Sequence, residues 1–351
     1  MQIPPMPKRA PGSPMDPVDA RIVAALQYDA RATYAQLAAI VGVSETTVLR
    51  RLQRLRSAGD IDVIGVLDSQ RCGLGKPVLV QLLTEPGRTV SVAETVAARP
   101  DVRFLTIVSG RTNIICELIV HDRAHLAETL LHEIAGIEGI LSTTTSAVLR
   151  TYKTRDEWSR ELLPGGPLPA PTVGHGAGRK PKMDHLDMAL ISALAQDGRR
   201  SYVDLGNELE LNETAVARRL GLLVAGRQLS FATLVDPAAL GFEIEAILYL
   251  RVDLSTTETV ATFLASRREV RYVSATAGYS DITCEAVFRD NDSLHDFMLH
   301  TLGSLKGVRE LEVDLELQTI KRAFRSLAPP HPTDDTLANP VGENLATKPL
   351  A

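Results

Sequence analysis

The chain has 351 residues, 44% of them hydrophobic and 23% charged, which supplies two or more packed domains and excludes a disordered or fibrous chain. Thirty-eight Lys and Arg against 43 Asp and Glu leave a formal charge of −5, so any nucleic-acid surface has to be local. Aromatics at 4% are too few for single-strand stacking platforms, and Cys72, Cys116 and Cys284 fit neither a disulfide framework nor a Cys-x-x-Cys zinc site.

Residues 1–14 hold five prolines and are expected to form a disordered tail. Asp16 then reads as an N-cap with Pro17 at the first helical position, and Val18, Ile22, Ala25 and Leu26 share one stripe of a helix ending near Tyr28. Thr33 with Gln36 forms a capping box for a second helix, Val41-Gly42-Val43 turns, and Ser44 caps a third. That succession spells helix-turn-helix. In the third helix Val48, Leu52 and Leu55 line the packed face, which leaves Thr46, Thr47, Arg50, Gln53 and Arg54 opposite. Arg can bridge guanine, Gln can pair with adenine, and Thr can touch the thymine methyl, so this face suits a DNA major groove. A solvated face usually mixes charges, whereas Arg50, Arg51, Arg54 and Arg56 stand against Glu45 alone.

After Gly59 the period changes to two. Strands are expected at Ile61 to Leu67, Val78 to Leu83, Arg103 to Val108 and Ile114 to Val120, with helices at about Val90 to Arg99 and Arg123 to Ala135. Following the strand that leaves the helical domain, the order is β-α-β-β-α-β, a ferredoxin-like split unit.

The whole pattern is then written again at an offset of 168. Asp16 and Asp19 map onto Asp184 and Asp187, Arg31 onto Arg199, Arg50-Arg51-Leu52 onto Arg218-Arg219-Leu220, and Cys116-Glu117 onto Cys284-Glu285. Fifteen of 41 positions from Asp16 to Arg56 are identical to their mates. Pro164 to Pro181, with ten Pro or Gly in 18 positions, reads as a linker. The expected organisation is a tail at 1–14, a helix-turn-helix domain at 15–64, a ferredoxin-like domain at 65–158, a linker at 159–182, a second helix-turn-helix domain at 183–232, a second ferredoxin-like domain at 233–327, and a tail at 328–351. The fold class is α+β, a tandem winged helix-turn-helix plus ferredoxin-like βαββαβ unit present twice.

Other signals are weak. Gly174 to Lys180 lacks the strand and the Gly-Lys-Ser/Thr ending of a phosphate loop, and His132-Glu133 is followed by Gly136 where a zinc protease has its second His. No cofactor or metal is expected, no nucleophile elbow appears, and the chain is read as a non-enzyme. With no apolar run of about 18 residues, it is expected to be cytoplasmic and without membrane contact.

A helix-turn-helix followed by the split unit resembles the leucine-responsive/asparagine regulator (Lrp/AsnC) family of transcription factors. The resemblance spans nearly all of Met15 to Tyr152 and Met183 to Arg322. It rests on Asp19 with Ile22 and Leu26, on Asp29-Ala30-Arg31 and Leu37-Ala38, and on Ser44 with Val48, Arg51-Leu52, Leu55 and Gly59-Asp60-Ile61. It implies a DNA-binding domain, contacting double-stranded DNA through Ser44, Thr46, Thr47, Arg50, Arg51, Gln53 and Arg54, with Thr214, Arg218 and Arg219 in the second copy. It further implies a sheet domain, termed RAM in the family, that pairs and binds amino-acid-like effectors, so the two sheet units of this chain are expected to pair as an intrachain pseudo-dimer, with a higher homo-oligomer of that unit also open. The family's effector site lies at a turn usually containing Gly-x-x-Asp, matched by Gly278-Tyr279-Ser280-Asp281. Copy one has Gly110-Arg111-Thr112-Asn113, where Asn replaces the carboxylate, so the two turns are expected to take different ligands. Two other readings share this architecture. Siroheme decarboxylases also occur as fused pairs but carry His and aromatic-rich segments around the central strands, where this chain has Val102 to Thr106 and Val270 to Ser274 with no His in either copy. A sensor that had lost DNA binding would have degraded third helices.

Overall fold

The computed structural model describes residues 15–154, 158–163 and 183–327. The stretch 164–182, most of the expected linker, and both expected tails lie outside them, as does Gly174 to Lys180. In copy one, α1 (Pro17–Tyr28) is capped by Asp16, whose carboxylate accepts the Val18 and Asp19 amides. Next comes α2 (Tyr34–Val41), which carries the Thr33–Gln36 capping box and ends at left-handed Gly42. Ser44 accepts the Thr47 amide to start α3 (Glu45–Ser57). Val48, Leu52 and Leu55 pack into a core with Ile22, Leu26 and Leu37, each buried side chain of this size contributing about 1.5–3 kcal/mol. Copy two repeats the trio as α6 (His185–Gln196), α7 (Tyr202–Leu209) and α8 (Glu213–Ala225).

One difference between the trios costs energy. Where copy one has Gly42 at φ +78°, copy two has Glu210 at φ +55°, and a side chain in this left-handed region costs roughly 1–2 kcal/mol. Glu210→Gly is therefore expected to stabilise the second trio by about 1 kcal/mol in urea unfolding, and a loss of stability would show that the Glu210 side chain has a compensating role.

The two trios are tied to each other. Arg31 donates to the Gly198 and Arg200 carbonyls at 2.6 and 3.2 Å, and its equivalent Arg199 donates to the Ala30 and Ala32 carbonyls, both at 2.8 Å. The strand leaving each trio, β1 (Ile61–Leu67) or β6 (Leu229–Val235), pairs antiparallel with the other, and Ile64 faces its own equivalent Ala232 on the pseudo-two-fold axis.

The split units follow as β2 (Lys76–Thr84), α4 (Thr89–Ala97), β3 (Val102–Ser109), β4 (Ile114–Val120), α5 (Arg123–Glu128) and β5 (Ile140–Thr154). Copy two supplies β7 (Ile244–Val252), α9 (Thr257–Ser266), β8 (Val270–Ala277), β9 (Ile282–Phe288), α10 (Asn291–Asp296), β10 (Val308–Arg322) and the short β11 (Arg325–Ser326). Both α5 and α10 run on into a π-helical turn. The last long strand of each copy works twice. The first half of β5 pairs with β2 and its second half with β8, while β10 pairs first with β7 and then with β3. Eight strands thus close into one ring, β3-β4-β2-β5-β8-β9-β7-β10, with helices on its outer face.

Crossing strands carry core residues with them: Tyr152 of β5 joins the copy-two core and Ile320 of β10 joins that of copy one. Lys321 then donates to the Ala97 and Arg99 carbonyls at the end of α4, and its equivalent Lys153 donates to Arg267 beyond α9. Residues 159–163, expected to open the linker, are instead held in place. Trp158–Leu162 form a 3-10 turn in which Ser159 bonds Gln27 of α1, Glu161 pairs with Arg289 at 2.5 Å, and Trp158 sits edge-on to Phe242 at 5.0 Å. No helix among the described residues is long and apolar enough to cross a membrane.

Candidate functional site

On α3 the structure separates the expected contact residues into two groups. Thr46, Arg50 and Gln53 point outward and are exposed, and Arg50 has no ion-pair partner among the described residues. The others are engaged. Ser44 caps the helix and bonds the Thr47 hydroxyl at 2.8 Å. Arg51 bridges Asp16 and Asp19 at 2.8 and 3.0 Å, and the Val18 amide that Asp16 accepts, helped by Arg51, holds the Asp16 carboxyl below its ordinary range. Arg54 also bonds Asp19, although its side chain is 60% exposed, and Arg56 reaches Asp197 of the other trio at 2.7 Å. The Asp-x-x-Asp spacing at 16 and 19, repeated at 184 and 187 opposite Arg51 and Arg219, was the signal that these arginines serve the trio's own packing.

Copy two shows the same division with less chemistry outside. Thr214 and Arg218 are exposed, while Arg219 bridges Asp184 and Asp187, both at 2.8 Å. At the positions of Gln53, Arg54 and Arg56 stand Gly221, Leu222 at 58% exposure and Val224, so most of the outer face of α8 is apolar.

The two glycine turns meet each other. Arg111 of copy one lies over the ring of its own equivalent Tyr279, with the guanidinium 5.6 Å from the centroid and donating to the hydroxyl at 3.3 Å, and Tyr279 in turn bonds Glu312. Both glycines are demanded by the other copy's long strand. A Cβ on Gly110 would lie 1.8 Å from Asp314 Oδ1, and one on Gly278, at φ +154°, would lie 2.5 Å from Ser146 Oγ. Burial and the nearby Glu312 push Asp314 up to about 6. Ser280 is buried and bonded to Thr276 and Thr283.

Asp281 and Asn113 perform the same local task. Asp281 Oδ2 accepts the Val252 amide at 2.9 Å, and Asn113 Oδ1 accepts the equivalent Thr84 amide, also at 2.9 Å. One acceptor oxygen suffices for this bond, so Asp281→Asn is expected to leave stability unchanged. Asp281→Ala orphans a strand-end N–H and is expected to cost about 1–3 kcal/mol, checked by urea unfolding of the two variants side by side.

Sequence reasoning missed the inside of the ring. Arg103 and Glu117 pair there at 2.5 and 2.8 Å. Their equivalents Arg271 and Glu285 pair at 2.6 Å and are joined by Glu245, Glu316 and Arg322, with Arg322 2.8 Å from Glu285. The available signal was a Glu at 117 and again at 285 inside otherwise apolar strands, with Arg kept at 103 and 271. Glu245, Glu285 and Glu316 bring three carboxylate oxygens within 4.8 Å of one another, but the two guanidiniums stand among them. Cys116 and Cys284 are buried thiols, and burial pushes Cys116 up to about 12.

Comparison with known proteins adds the family. The AsnC-type helix-turn-helix domain matches residues 15–56 and 183–223, and the Lrp/AsnC ligand binding domain matches 78–158 and 245–325, together more than half of the chain. The HTH-type transcriptional regulator Ptr1 of Methanocaldococcus jannaschii is 31% identical over 140 residues, 40% of this chain and 95% of that protein. An uncharacterized HTH-type regulator of Pyrococcus abyssi is 29% identical over 41% of this chain and 91% of its own length. The siroheme decarboxylase NirDL subunit of Paracoccus denitrificans is 29% identical over 261 residues, 72% of this chain and 77% of that subunit. A solved siroheme decarboxylase NirDL superposes with a TM-score of 0.59 at 14% identity, covering 89% of this chain and 93% of the other, a likeness of fold. The reading of the chain as a non-enzyme is thereby corrected: in that relative the same duplicated arrangement belongs to an enzyme, so neither the fold nor the duplication separates regulator from catalyst. With both of its domains matched twice, the chain belongs to the Lrp/AsnC family.

Proposed function

We propose that the chain is a sequence-specific regulator that binds double-stranded DNA through α3 and is modulated by an amino acid or related small molecule in its sheet domains. The observation that carries this reading is the outward row Thr46, Arg50 and Gln53, exposed on a capped helix whose other arginines are already neutralised. An exposed Arg with no carboxylate to satisfy it is available for guanine or phosphate. The two trios, tied through Arg31, Arg199 and the β1–β6 pair, present α3 and α8 as a fixed couple. Footprinting of the intergenic region beside the protein's own gene tests the reading: protection of a discrete site, lost in Arg50→Ala, is expected. Uniform protection of any duplex would sink it.

A second reading is favoured by one observation, the NirDL alignment that runs through both copies. On that reading the chain acts on an iron tetrapyrrole. An absorbance titration with iron-uroporphyrin III decides it, since a regulator of the first kind leaves the spectrum of the porphyrin unchanged.

A further inference from the structure

A cavity of about 210 Å³ lies where the helix-turn-helix pair rests on the strand ring. One wall comes from the helical side, with Gln27 at the end of α1, Gly59 and Asp60 just beyond α3, and Thr233 to Pro237 in and after β6. The opposite wall is the ring, with Glu245, Arg271, Glu316 and Arg322. Its volume is below the roughly 300 Å³ at which drug-sized pockets begin, so it suits a molecule of amino-acid size and not a tetrapyrrole several times larger.

Charge on the walls is unbalanced. Asp60, Glu245 and Glu316 face two guanidiniums, with Asp236 at the rim. Those guanidiniums are already held, Arg271 by Glu245 and Glu285 and Arg322 by Glu285. Glu316 is the carboxylate held least closely, with Arg271 at 3.8 Å and Arg322 at 3.7 Å. Its side chain is 1% exposed and Oε2 accepts the Thr319 hydroxyl at 3.2 Å. Oε1 has no hydrogen-bond donor among the described residues, and the nearest guanidinium nitrogen stands 3.8 Å away. Without a ligand a carboxyl buried in this setting keeps its proton, and an ammonium supplies the donor and charge that hold it ionised. Across the cavity, Gln27 Nε2 is a buried donor with no acceptor among the described residues. Trp158, Leu234, Leu317 and Leu327 supply apolar lining.

We propose that this cavity binds a small organic cation, a primary amine on an apolar body with a carbonyl oxygen for Gln27. Copy one does not repeat the charged set, because the positions of Glu245, Glu316 and Arg322 are occupied there by Pro77, Val148 and Thr154. Its role as the effector site rests on the regulator reading, in which a ligand wedged between the end of α3 and the ring sets the pose of the recognition helices. Binding itself does not depend on that reading.

Trp158 is the sole tryptophan of the chain, so its fluorescence reports on the cavity directly. Full-length protein is titrated with leucinamide, leucine and 4-methylpentanoate, which share an apolar body and differ in charge. A saturable change is expected, strongest with leucinamide, weaker with leucine and absent with 4-methylpentanoate. Glu316→Gln, close to isosteric, should weaken leucinamide at least tenfold, and Ala239→Leu, which fills the space from the helical side, should abolish the change. Asp281→Asn should leave it intact. No saturable response to leucinamide, equal binding of 4-methylpentanoate, or undiminished affinity in both cavity variants each overturns the proposal. Loss of sequence-specific DNA binding alongside an intact amine response would sink the regulator reading and leave the site standing.

Discussion

Replacing Arg50 with alanine is expected to weaken specific DNA binding by about 1 to 3 kcal/mol and to lower the slope of log affinity against log salt by about 0.9 if the contact is to phosphate. The same change at Arg218 is expected to cost well under half as much. Both arginines are exposed and lack an ion-pair partner among the described residues, so the difference comes from their neighbours. Arg50 is followed one helical turn later by Gln53, which can add a base contact, whereas Arg218 is followed by Gly221 and Leu222. A lone Arg on an apolar face has no second donor to fix its register on a base pair. Footprints of the two variants decide the matter. Two symmetric half-sites one helical turn apart, with Arg218→Ala as damaging as Arg50→Ala, would sink the asymmetry. Arg51→Ala belongs to a different class: it frees Asp16 and the buried Asp19, so its effect should appear in thermal unfolding before it appears in the footprint.

Much of this architecture was legible because it is local. Asp16, Thr33 and Ser44 cap the helices they were expected to cap, and the Val48–Leu52–Leu55 stripe is buried as its spacing requires. The 168-residue offset announced two copies because identity survives at the helix caps, at the arginines that tie the trios together and in the packed stripe alike, as at Asp16, Arg31 and Leu52. What periodicity could not show is pairing between copies. The second halves of β5 and β10 alternate against strands more than a hundred residues away, and nothing within a strand names its neighbour. The neighbours of the glycine turns were hidden for the same reason. Gly110 and Gly278 have the composition of a ligand turn, yet what approaches them is Asp314 and Ser146 of the opposite copy. Likewise Arg51 counts as positive charge on a helix face until Asp16 and Asp19 are placed beside it.

Arg271→Met is expected to be the most destabilising single change inside the ring, at about 3–5 kcal/mol, because removing one partner of a buried ion network leaves the others uncompensated. Arg271 is 4% exposed and serves Glu245 and Glu285 at once, with Glu316 nearby. The two innermost glutamates then predict opposite responses to pH. Burial pushes Glu285 up, but Arg271 and Arg322 outweigh it and hold the carboxyl at about 2. Its folded value lies below its unfolded one, so its stabilisation is complete above about pH 4.5 and is lost as pH falls towards 2. Glu316 is driven well above its ordinary value by burial and then by Glu285 and Glu245. Here the folded state keeps a proton that the unfolded chain has released above about pH 4.5, so this group costs stability as pH rises beyond that point. Glu316→Gln removes that cost, and the variant should match the wild type at pH 5 and exceed it at pH 8. Urea unfolding of both proteins at the two pH values is the measurement. A variant less stable at pH 8 than at pH 5, relative to wild type, would mean that Glu316 is ionised in the folded ring and that Arg271 and Arg322 are shared equally among all three carboxylates.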